Sequence, residues 1–274
     1  MSGHLYIVGT PIGNLEDITL RALRILKEVD LIACEDTRQT SKLLGHYKIQ
    51  VPLVSYHEFN ERVRSIELIK KLKMGRNIAL VSDAGMPGIS DPGFQIISSA
   101  IKENIPVIPI PGPSAILTAL VISGLPTHRF AFEGFLPEKS VARKKHLLLL
   151  KDEPRTLIFF ESARRLKQSL QDIFEILGNR SIAIAHELTK KFESVDRGSL
   201  KEILNRFEGM TIKGEFVLSL SGKTSTENFG DLSIHEHIAQ VMIMMGISRL
   251  EAIKLVADLR GLSKREVYRH VQND

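Results

Sequence analysis

Short apolar runs alternate with stretches of helical periodicity along the first half of this chain. Each run holds four residues and no charge, which is typical of a strand buried on both faces of a sheet. The five runs are 5–8, 31–34, 53–56, 78–81 and 107–110. Between them, apolar side chains recur at helical spacing, as at Leu20, Leu23 and Leu26, and Asn60 is predicted to cap another helix. Strands separated by helices predict an α/β domain with a mostly parallel, covered sheet.

The second half of the chain has a different pattern of strands. Strands are predicted near 130–135 and at 156–160, 181–185, 193–197 and 215–220, with a helix over 166–177. This pattern predicts a second α/β domain with a mixed sheet. A breaker cluster, Ser123-Gly124-Leu125-Pro126, marks the boundary between the two. The predicted organisation is an N-terminal α/β domain over 1–123, a C-terminal α/β domain over 124–222, and a linker with a helical tail over 223–274.

The tail repeats one short pattern three times. A polar linker over 224–230 precedes three Ser-x-x-Glu boxes, which satisfy backbone donors at the start of a helix. The boxes are Ser233/Glu236, Ser248/Glu251 and Ser263/Glu266. They predict three short helices that resemble a small helix-turn-helix bundle. Basic and acidic residues occur there in similar number, so contact with nucleic acid and a packing role both stay open.

The composition is ordinary for a globular protein, with 43% hydrophobic and 25% charged residues. The single cysteine, Cys34, excludes an internal disulfide and lies in an apolar run, where a small buried hydrophobe is expected. The N-terminus has no basic region followed by an apolar stretch, and no apolar run is long enough to span a bilayer. These features predict a cytoplasmic protein without a membrane segment.

Basic residues are concentrated between residues 139 and 167. Nine Lys or Arg residues stand there against three acidic ones, a surplus larger than the net charge of +5 of the whole chain. Such a block is suited to binding the phosphates of a nucleic acid, or it is the solvated face of a helix. The candidates for RNA contact are Arg38, outside the block, and Arg143, Lys144, Lys145, Arg164 and Arg165 within it.

Glycine and proline are concentrated in loops that follow predicted strands. These loops are 9–14, 82–93, 111–115 and 133–137. The second of them holds three glycines, two prolines and two aspartates, so its main chain is stiff and open to close approach by a ligand. Asp83 stands at the end of its strand, where a carboxylate would accept from ribose hydroxyls or an amine. The 9–14 loop lacks the G-x-G-x-x-G spacing, which disfavours a dinucleotide site.

Further polar clusters follow strands in both halves, at 35–38, 57–61, 161–165 and 186–190. Because ligands bind beyond the strand ends of open α/β sheets, these clusters predict one cleft between the two domains. No His-x-x-x-His or Cys-x-x-Cys spacing occurs, so no metal site is predicted. No Gly-x-Ser-x-Gly elbow occurs either.

Five blocks in this order resemble one known family. They are 9–14 (GTPIGN), 35–38 (EDTR), 83–93 (DAGMPGISDPG), 111–115 (PGPSA) and 134–137 (GFLP). Together they look like the small-subunit rRNA cytidine 2′-O-methyltransferases of the tetrapyrrole methylase superfamily, over a match from Leu5 to about Gly222. The long Asp-Ala-Gly-Met-Pro-Gly block is the most specific of them. The chain departs from the family pattern at Phe59, at Ala163-Arg164 and at His186, all on the presumed RNA side.

The resemblance implies an S-adenosylmethionine-dependent methyltransferase that acts on the ribose 2′-hydroxyl of a cytidine in 16S rRNA, at the decoding centre. It implies a homodimer, with either naked rRNA or the assembled small ribosomal subunit as partner. It also implies two α/β domains with the methyl donor in the cleft between them. The donor contacts that it implies are Ile12, Asp83, Met86, Ser114, Ala115, Glu161, Leu188 and Gly214.

A ribose hydroxyl is a poor nucleophile while it is protonated, so a base would speed the reaction by about 10²–10⁴-fold. Glu187, Lys190 and Asp36 are the candidates for taking this proton or orienting the hydroxyl, because all three follow strands that face the expected cleft. Two other functions stay open. One is methylation of a corrin or porphyrin ring, and the other is a non-catalytic RNA-binding protein, which would leave the Gly/Pro-rich loops unexplained.

Overall fold

The computed structural model describes residues 2–210, 212–223 and 232–272, with side chains through residue 270. The chain forms two compact units, Met1–Lys223 and Thr224–Asp274. The first unit contains both predicted sheets. The linker predicted over 224–230 lies outside the described residues, and the domain boundary at residue 123 stays a prediction. No helix in the described ranges is long and apolar enough to cross a membrane.

The first sheet is parallel throughout and has five strands in the order β3-β2-β4-β1-β5. The strands are β1 (Leu5–Val8), β2 (Leu31–Cys34), β3 (Leu53–Ser55), β4 (Ile78–Val81) and β5 (Val107–Ile110). Four of the five predicted runs therefore match residue for residue. The third ends one residue early, at Ser55, although the Tyr56 N–H still donates to the Cys34 carbonyl at 2.7 Å.

Five helices accompany this sheet: α1 (Leu20–Glu28), α2 (Thr37–His46), α3 (Glu61–Lys73), α4 (Phe94–Lys102) and α5 (Ala115–Ser123). α1 and α2 cover one face, where Leu26 and Leu44 are buried, and α3 and α4 cover the other, where Leu68 and Ile96 are buried. The sheet is thus doubly covered, as its apolar strands require. The predicted cap at Asn60 is wrong, because its side chain accepts from the His57 N–H rather than from the helix.

The second sheet is mixed, as predicted, with five strands in the order β6-β7-β10-β8-β9. β6 and β7 pair in parallel, and the other pairs are antiparallel. The strands are β6 (Phe130–Phe135), β7 (Thr156–Ser162), β8 (Ser181–His186), β9 (Ser194–Ser199) and β10 (Glu215–Leu220). Three helices, α6 (Ser140–Leu149), α7 (Leu166–Leu177) and α8 (Leu200–Phe207), belong to this half.

Helix α5 joins the two sheets. It begins directly after β5, yet its buried residues Ile116 and Leu120 pack against Ile158, Ala185 and Val217 of the second sheet. The helix is apolar on its other side as well, where Leu117 and Val121 are exposed. The N-terminus of α5 therefore stands where the two sheets meet.

Residues 232–272 of the second unit form three helices, α9 (Ile234–Met245), α10 (Arg249–Arg260) and α11 (Lys264–Gln272). Each predicted Ser-x-x-Glu box is confirmed. In all three, the serine N–H donates to the glutamate carboxylate and the glutamate N–H donates to the serine hydroxyl. Ile238, Val256 and Val267 contribute to a small core of this unit.

Candidate active site

A cleft of about 390 Å³ opens between the two sheets of the first unit. Its walls come from the loops after β1, β4 and β5 on one side, and from β7, β8, β10 and the loop after β8 on the other. The carboxyl ends of parallel strands are where open α/β sheets place ligands. Of the four polar clusters predicted to share one cleft, 161–165 and 186–190 contribute lining residues, whereas no residue of 35–38 or 57–61 lines it.

Close main-chain contacts hold the loops on the first side together. A Cβ atom on Gly9 would lie 2.8 Å from the Gly112 Cα atom and 2.8 Å from the Met86 sulfur, so only glycine fits there. Thr10 and Gly85 exchange two backbone hydrogen bonds of 2.9 and 3.1 Å, and the Thr10 hydroxyl donates to the Ser82 carbonyl. The loops after β1, β4 and β5 thus form one stiff wall.

The loop after β4 contains several residues with positive φ angles. Gly85 and Gly88 have φ angles of 81° and 84°, in the left-handed region that favours glycine. Ser90 also lies there, with φ at 58°, although it carries a side chain. Ser90 and the neighbouring Asp91 both line the cleft. Strained backbone of this kind is concentrated at functional sites.

All eight residues predicted to contact the methyl donor line this cleft. They are Ile12, Asp83, Met86, Ser114, Ala115, Glu161, Leu188 and Gly214. They come from six separate stretches of the chain and meet only in the folded structure. Their role as donor contacts stays a prediction, since the structure shows their place and not what they bind.

Among the eight, Glu161 is the one whose side chain is held in a buried ion pair. Its side chain is buried, pairs with Arg165 at 2.8 Å and accepts from the Ser169 hydroxyl. Arg165 also donates to the Leu136 carbonyl. Glu161 therefore fixes the end of β7 beside the cleft. Arg165, predicted to contact RNA, is directed inward by the same contacts.

A group of carboxylates lies along the first wall. Asp91, which lines the cleft, has its pKa raised to about 6, chiefly by burial and then by the nearby Glu35 and Asp83. Burial, followed by the neighbouring carboxylates, also raises the pKa of Glu35 and of Asp83. Groups that exchange protons near neutral pH are typical of active sites. Asp91 is part of the 83–93 block, but nothing in the sequence indicates that Glu35 lies beside it.

Lys190 lines the opposite wall and is held by two carboxylates. Its amino group donates to Glu187 at 3.0 Å and to Glu215 at 2.9 Å. Burial lowers the pKa of Lys190, but the two hydrogen bonds outweigh it, so the net shift is upward. Burial in turn raises the pKa of Glu187, and its bonds to Lys190 and to the Glu215 N–H reverse this into a net lowering. Lys190 and Glu187 are therefore both charged at neutral pH.

The residues around Lys190 are held in unusual backbone conformations. Glu187 and Thr189 have φ angles of 50° and 64°. A Cβ atom on Gly214 would lie 2.5 Å from the Glu187 carboxylate, so glycine at this position leaves room for that side chain. Glu187 and Lys190 were predicted candidates, whereas Glu215 was not predicted, since its only signal is its place directly after Gly214.

Asp36, the third catalytic candidate, does not line the cleft. Its carboxylate accepts from the Arg38 side chain and from the N–H groups at the start of α2. These bonds lower the pKa of Asp36 to about 2. The Asp36 N–H donates to the Asp83 carboxylate at 3.1 Å. Asp36 therefore acts on the cleft wall through Asp83.

The RNA-contact prediction is wrong for Arg143. Its side chain is only 2% exposed and pairs with the buried Asp172 at 2.6 Å. The same guanidinium donates to the Pro137 and Glu138 carbonyls, at 3.1 and 3.0 Å. A phosphate cannot reach the Arg143 guanidinium, because this residue lies on the buried face of α6. A count of charges along the sequence does not distinguish the buried face of a helix from its exposed face.

The other basic candidates lie at the surface. Lys144 pairs with Glu175 at 2.5 Å, and Arg38 pairs with Asp36 at 2.8 Å while staying largely exposed. Arg164 is exposed and 3.6 Å from Glu138, and Lys145 is exposed on α6. These four stay candidates for phosphate contact. In the described part of the chain, no group of three His, Cys, Asp or Glu side chains is arranged to hold a metal ion.

Comparison with known proteins identifies the family. The profile described as Tetrapyrrole (Corrin/Porphyrin) Methylases matches residues 4–204. A relative in Halalkalibacterium halodurans, named Ribosomal RNA small subunit methyltransferase I, is 52% identical over 97% of this chain and 93% of its own length. One of the same name in Thermotoga maritima is 50% identical over 221 residues, which cover 81% of this chain and 99% of its own length.

Solved structures have the same fold. Uroporphyrin-III C-methyltransferase from Thermus thermophilus, crystallised with S-adenosylhomocysteine, has a TM-score of 0.56 and 19% identity over 80% of this chain and 97% of its own. The length of the matched profile and the identity to full-length relatives lead to one conclusion: this chain is a methyltransferase that belongs to the tetrapyrrole (corrin/porphyrin) methylase family.

Proposed function

We propose that this protein transfers a methyl group from S-adenosylmethionine to the ribose 2′-hydroxyl of a cytidine in 16S rRNA, at the decoding centre. The observation that carries the proposal is the cleft itself, where all eight expected donor contacts and a charged Lys190 face one space. Relatives at 40–52% identity are named rRNA small subunit methyltransferases, which supports RNA as the acceptor. A cytoplasmic location and a homodimer stay predictions.

The cleft suits the donor in size and in chemistry. About 390 Å³ falls within the usual range for small-molecule sites, which are mostly apolar with a few placed polar groups. Ile12, Met86 and Leu188 give apolar surface for an adenosyl group, while Asp83 is placed to accept from hydroxyl or amino groups. When bound, S-adenosylmethionine supplies an electrophilic methyl carbon on a sulfonium, whose leaving group is a neutral thioether.

Lys190 is proposed to orient the ribose hydroxyl. Because its two carboxylate partners keep it protonated, it is a donor of hydrogen bonds and not a base. A fixed positive charge stabilises the oxygen as its proton leaves, which is the effect of an oxyanion-type donor. Glu187 and Glu215 are positioning residues in this scheme. Asp36 positions Asp83 through its N–H.

Asp91 is proposed as the acceptor of the hydroxyl proton. It lines the cleft, and its pKa of about 6 lets it be ionised at neutral pH while still binding a proton readily. Glu187, one of the three catalytic candidates from the sequence, is a weaker base because its pKa is lowered. As the 2′-oxygen forms its bond to the methyl carbon, the proton passes to Asp91, so charge is conserved. Orientation of the two reactants contributes roughly 7–11 kcal/mol to the barrier reduction.

The test is transfer of a labelled methyl group from S-adenosylmethionine to small ribosomal subunits from cells that lack this protein, followed by identification of the nucleoside. Label in 2′-O-methylcytidine is the expected result. Lys190→Ala is expected to slow transfer by about 10²–10³-fold. Lys191→Ala is the matched control, since this neighbouring lysine is exposed and does not line the cleft.

Two results would contradict the proposal. Equal transfer by the Lys190 and Lys191 variants would remove Lys190 from the mechanism. Intact donor binding without label in the RNA would overturn the RNA substrate, and it would favour a corrin or porphyrin ring as acceptor. The same transfer assay, run with naked 16S rRNA beside the assembled subunit, shows which of the two is methylated.

A further inference from the structure

The tail, here meaning residues 232–272, repeats one local design. Each helix is preceded by an apolar residue and a capping serine, as in Ile247-Ser248 and Leu262-Ser263, and the glutamate of the box stands three residues later. α9 and α10 both end at a glycine in the left-handed conformation, Gly246 and Gly261, both with φ at 62°. The three-residue turns that result are typical of a helix-turn-helix.

Among the three tail helices, α11 has the largest excess of positive charge, because the three basic residues of α10 (Arg249, Lys254 and Arg260) stand against two acids, Glu251 and Asp258. α11 carries Lys264, Arg265 and Arg269 against the single acid Glu266, and α9 carries no Lys or Arg. Glu266 is engaged in its capping box. Of the α11 side chains described, only Val267 is buried, so the three cations are all exposed. By contrast, Arg260 of α10 donates to carbonyls within the tail.

The tail is separable from the methyltransferase core. It belongs to a compact unit of its own with its own apolar core. The Thermotoga maritima relative is matched over 221 residues and 99% of its own length, and the first unit, which ends at Lys223, is long enough for the whole match. A chain of this family thus exists without room for a tail of this size. The tail therefore has a task other than forming the cleft.

We propose that α11 binds the phosphate backbone of the rRNA substrate at a place outside the methylation site and so increases the affinity of the enzyme for its substrate. Exposed cations on one helix complement a polyanion, and the acids that would balance them are few. Because the major groove of RNA is too narrow to read, such a helix contacts phosphates and helix shape rather than base edges. The proposal rests on the proposed RNA substrate.

The test compares the full-length protein with the variant Lys264→Ala/Arg265→Ala/Arg269→Ala. Binding of 16S rRNA is measured by titration at several salt concentrations, and KM and kcat are measured with small subunits. Loss of three phosphate contacts is expected to lower the slope of log K against log salt by about 3. KM should rise tenfold or more, while kcat and donor affinity stay unchanged. The charge-conserving variant Lys264→Arg/Arg265→Lys/Arg269→Lys should keep binding within about twofold.

Three results would overturn this inference. The first is an unchanged salt slope in the alanine variant. The second is a fall in kcat without a rise in KM, which would place α11 in the chemistry. The third is a lowered melting temperature with loss of binding in both variants, which would make the tail a packing element. If the unaltered protein binds rRNA but transfers no label to it, the proposed methylation fails while the α11 site stands.

Discussion

Removing the carboxylate of Asp172 is expected to destabilise the core without touching the reaction. Asp172 is 1% exposed, and it accepts from the Arg143 Nε atom at 2.7 Å and from the Arg143 Nη2 atom at 2.6 Å. It also accepts from the Ser140 hydroxyl at 3.0 Å. In Asp172→Ala, the Arg143 charge stays buried with only carbonyl partners.

The magnitude follows from the burial of the charge that is left behind. Removing one partner of a buried ion pair costs about 3–5 kcal/mol, because the other charge is left uncompensated. For a unit of this size, 1 kcal/mol shifts the melting temperature by about 2–4 °C, so a fall of roughly 6–20 °C is expected. Replacing both partners, as in Arg143→Met/Asp172→Leu, leaves no buried charge and should restore most of the stability.

Urea denaturation followed by circular dichroism measures the free energy of unfolding of these variants. Lys145→Ala is the control, since this exposed lysine on the same helix should change stability by less than about 0.5 kcal/mol. A loss below about 1 kcal/mol in Asp172→Ala would refute the reasoning. So would a reduced salt slope of RNA binding in the double variant, because Arg143 would then contact phosphate after all.

Three further predictions concern the cleft and the tail. Asp91→Asn should slow methyl transfer by about 10²–10⁴-fold, and the rate of the unaltered enzyme should fall tenfold per pH unit below about pH 6, where Asp91 becomes protonated. Gly112→Ala should lower donor affinity at least tenfold and reduce the melting temperature, because its Cβ would lie 2.8 Å from the Gly9 Cα atom. Ser248→Ala should destabilise the tail by about 1 kcal/mol, because it removes the hydroxyl that accepts from the Glu251 N–H. Faster amide hydrogen exchange in α10 would measure this loss.

Each of these has its control and its contrary result. In the folded protein the pKa of Asp91 is raised from its ordinary value of 3.8 to about 6, so the ionised carboxylate destabilises the fold above about pH 6. Asp91→Asn removes this charge and should therefore be no less stable than the original protein at pH 8. If the rate of methyl transfer by Asp91→Asn still falls tenfold per pH unit below about pH 6, a group other than Asp91 causes the fall. Gly45→Ala, with open space around its Cβ, is the control for Gly112→Ala. Unchanged amide hydrogen exchange in α10 of Ser248→Ala would show that the capping box at Ser248 does not stabilise this helix.

The first sheet and the capping boxes were predictable because their signals are local. Four-residue apolar runs define strands, and a serine followed by a glutamate defines a helix start. The helix α2 gave no such signal, because it buries only Thr40 and Leu44, too few residues to produce a visible period. The short helix α8 does begin with a capping box, Ser199 with Glu202, so its start carried a local signal although no helix was predicted there.

The cleft was predictable in outline and not in its electrostatics. Gly/Pro-rich blocks at strand ends, read together with the family resemblance, placed all eight expected donor contacts on one cavity. The raised pKa of Asp91 depends on Glu35, which is 56 residues away in the chain. Likewise, the direction in which Arg143 points depends on the buried Asp172 of another helix. Charge counts along a sequence carry neither kind of information.

Helix α5 has a consequence for any attempt to divide this protein. It starts at the cleft with Ser114 and Ala115, follows the last strand of the first sheet, and packs on the second sheet through Ile116 and Leu120. The two halves depend on it in different ways. Expressed alone, a first half that ends at residue 123 would carry α5 without the sheet on which it packs, and the second half would lack the helix that covers Ile158, Ala185 and Val217. A split enzyme cut after residue 123 would therefore recombine poorly, whereas the junction at residue 223 separates units that are each compact.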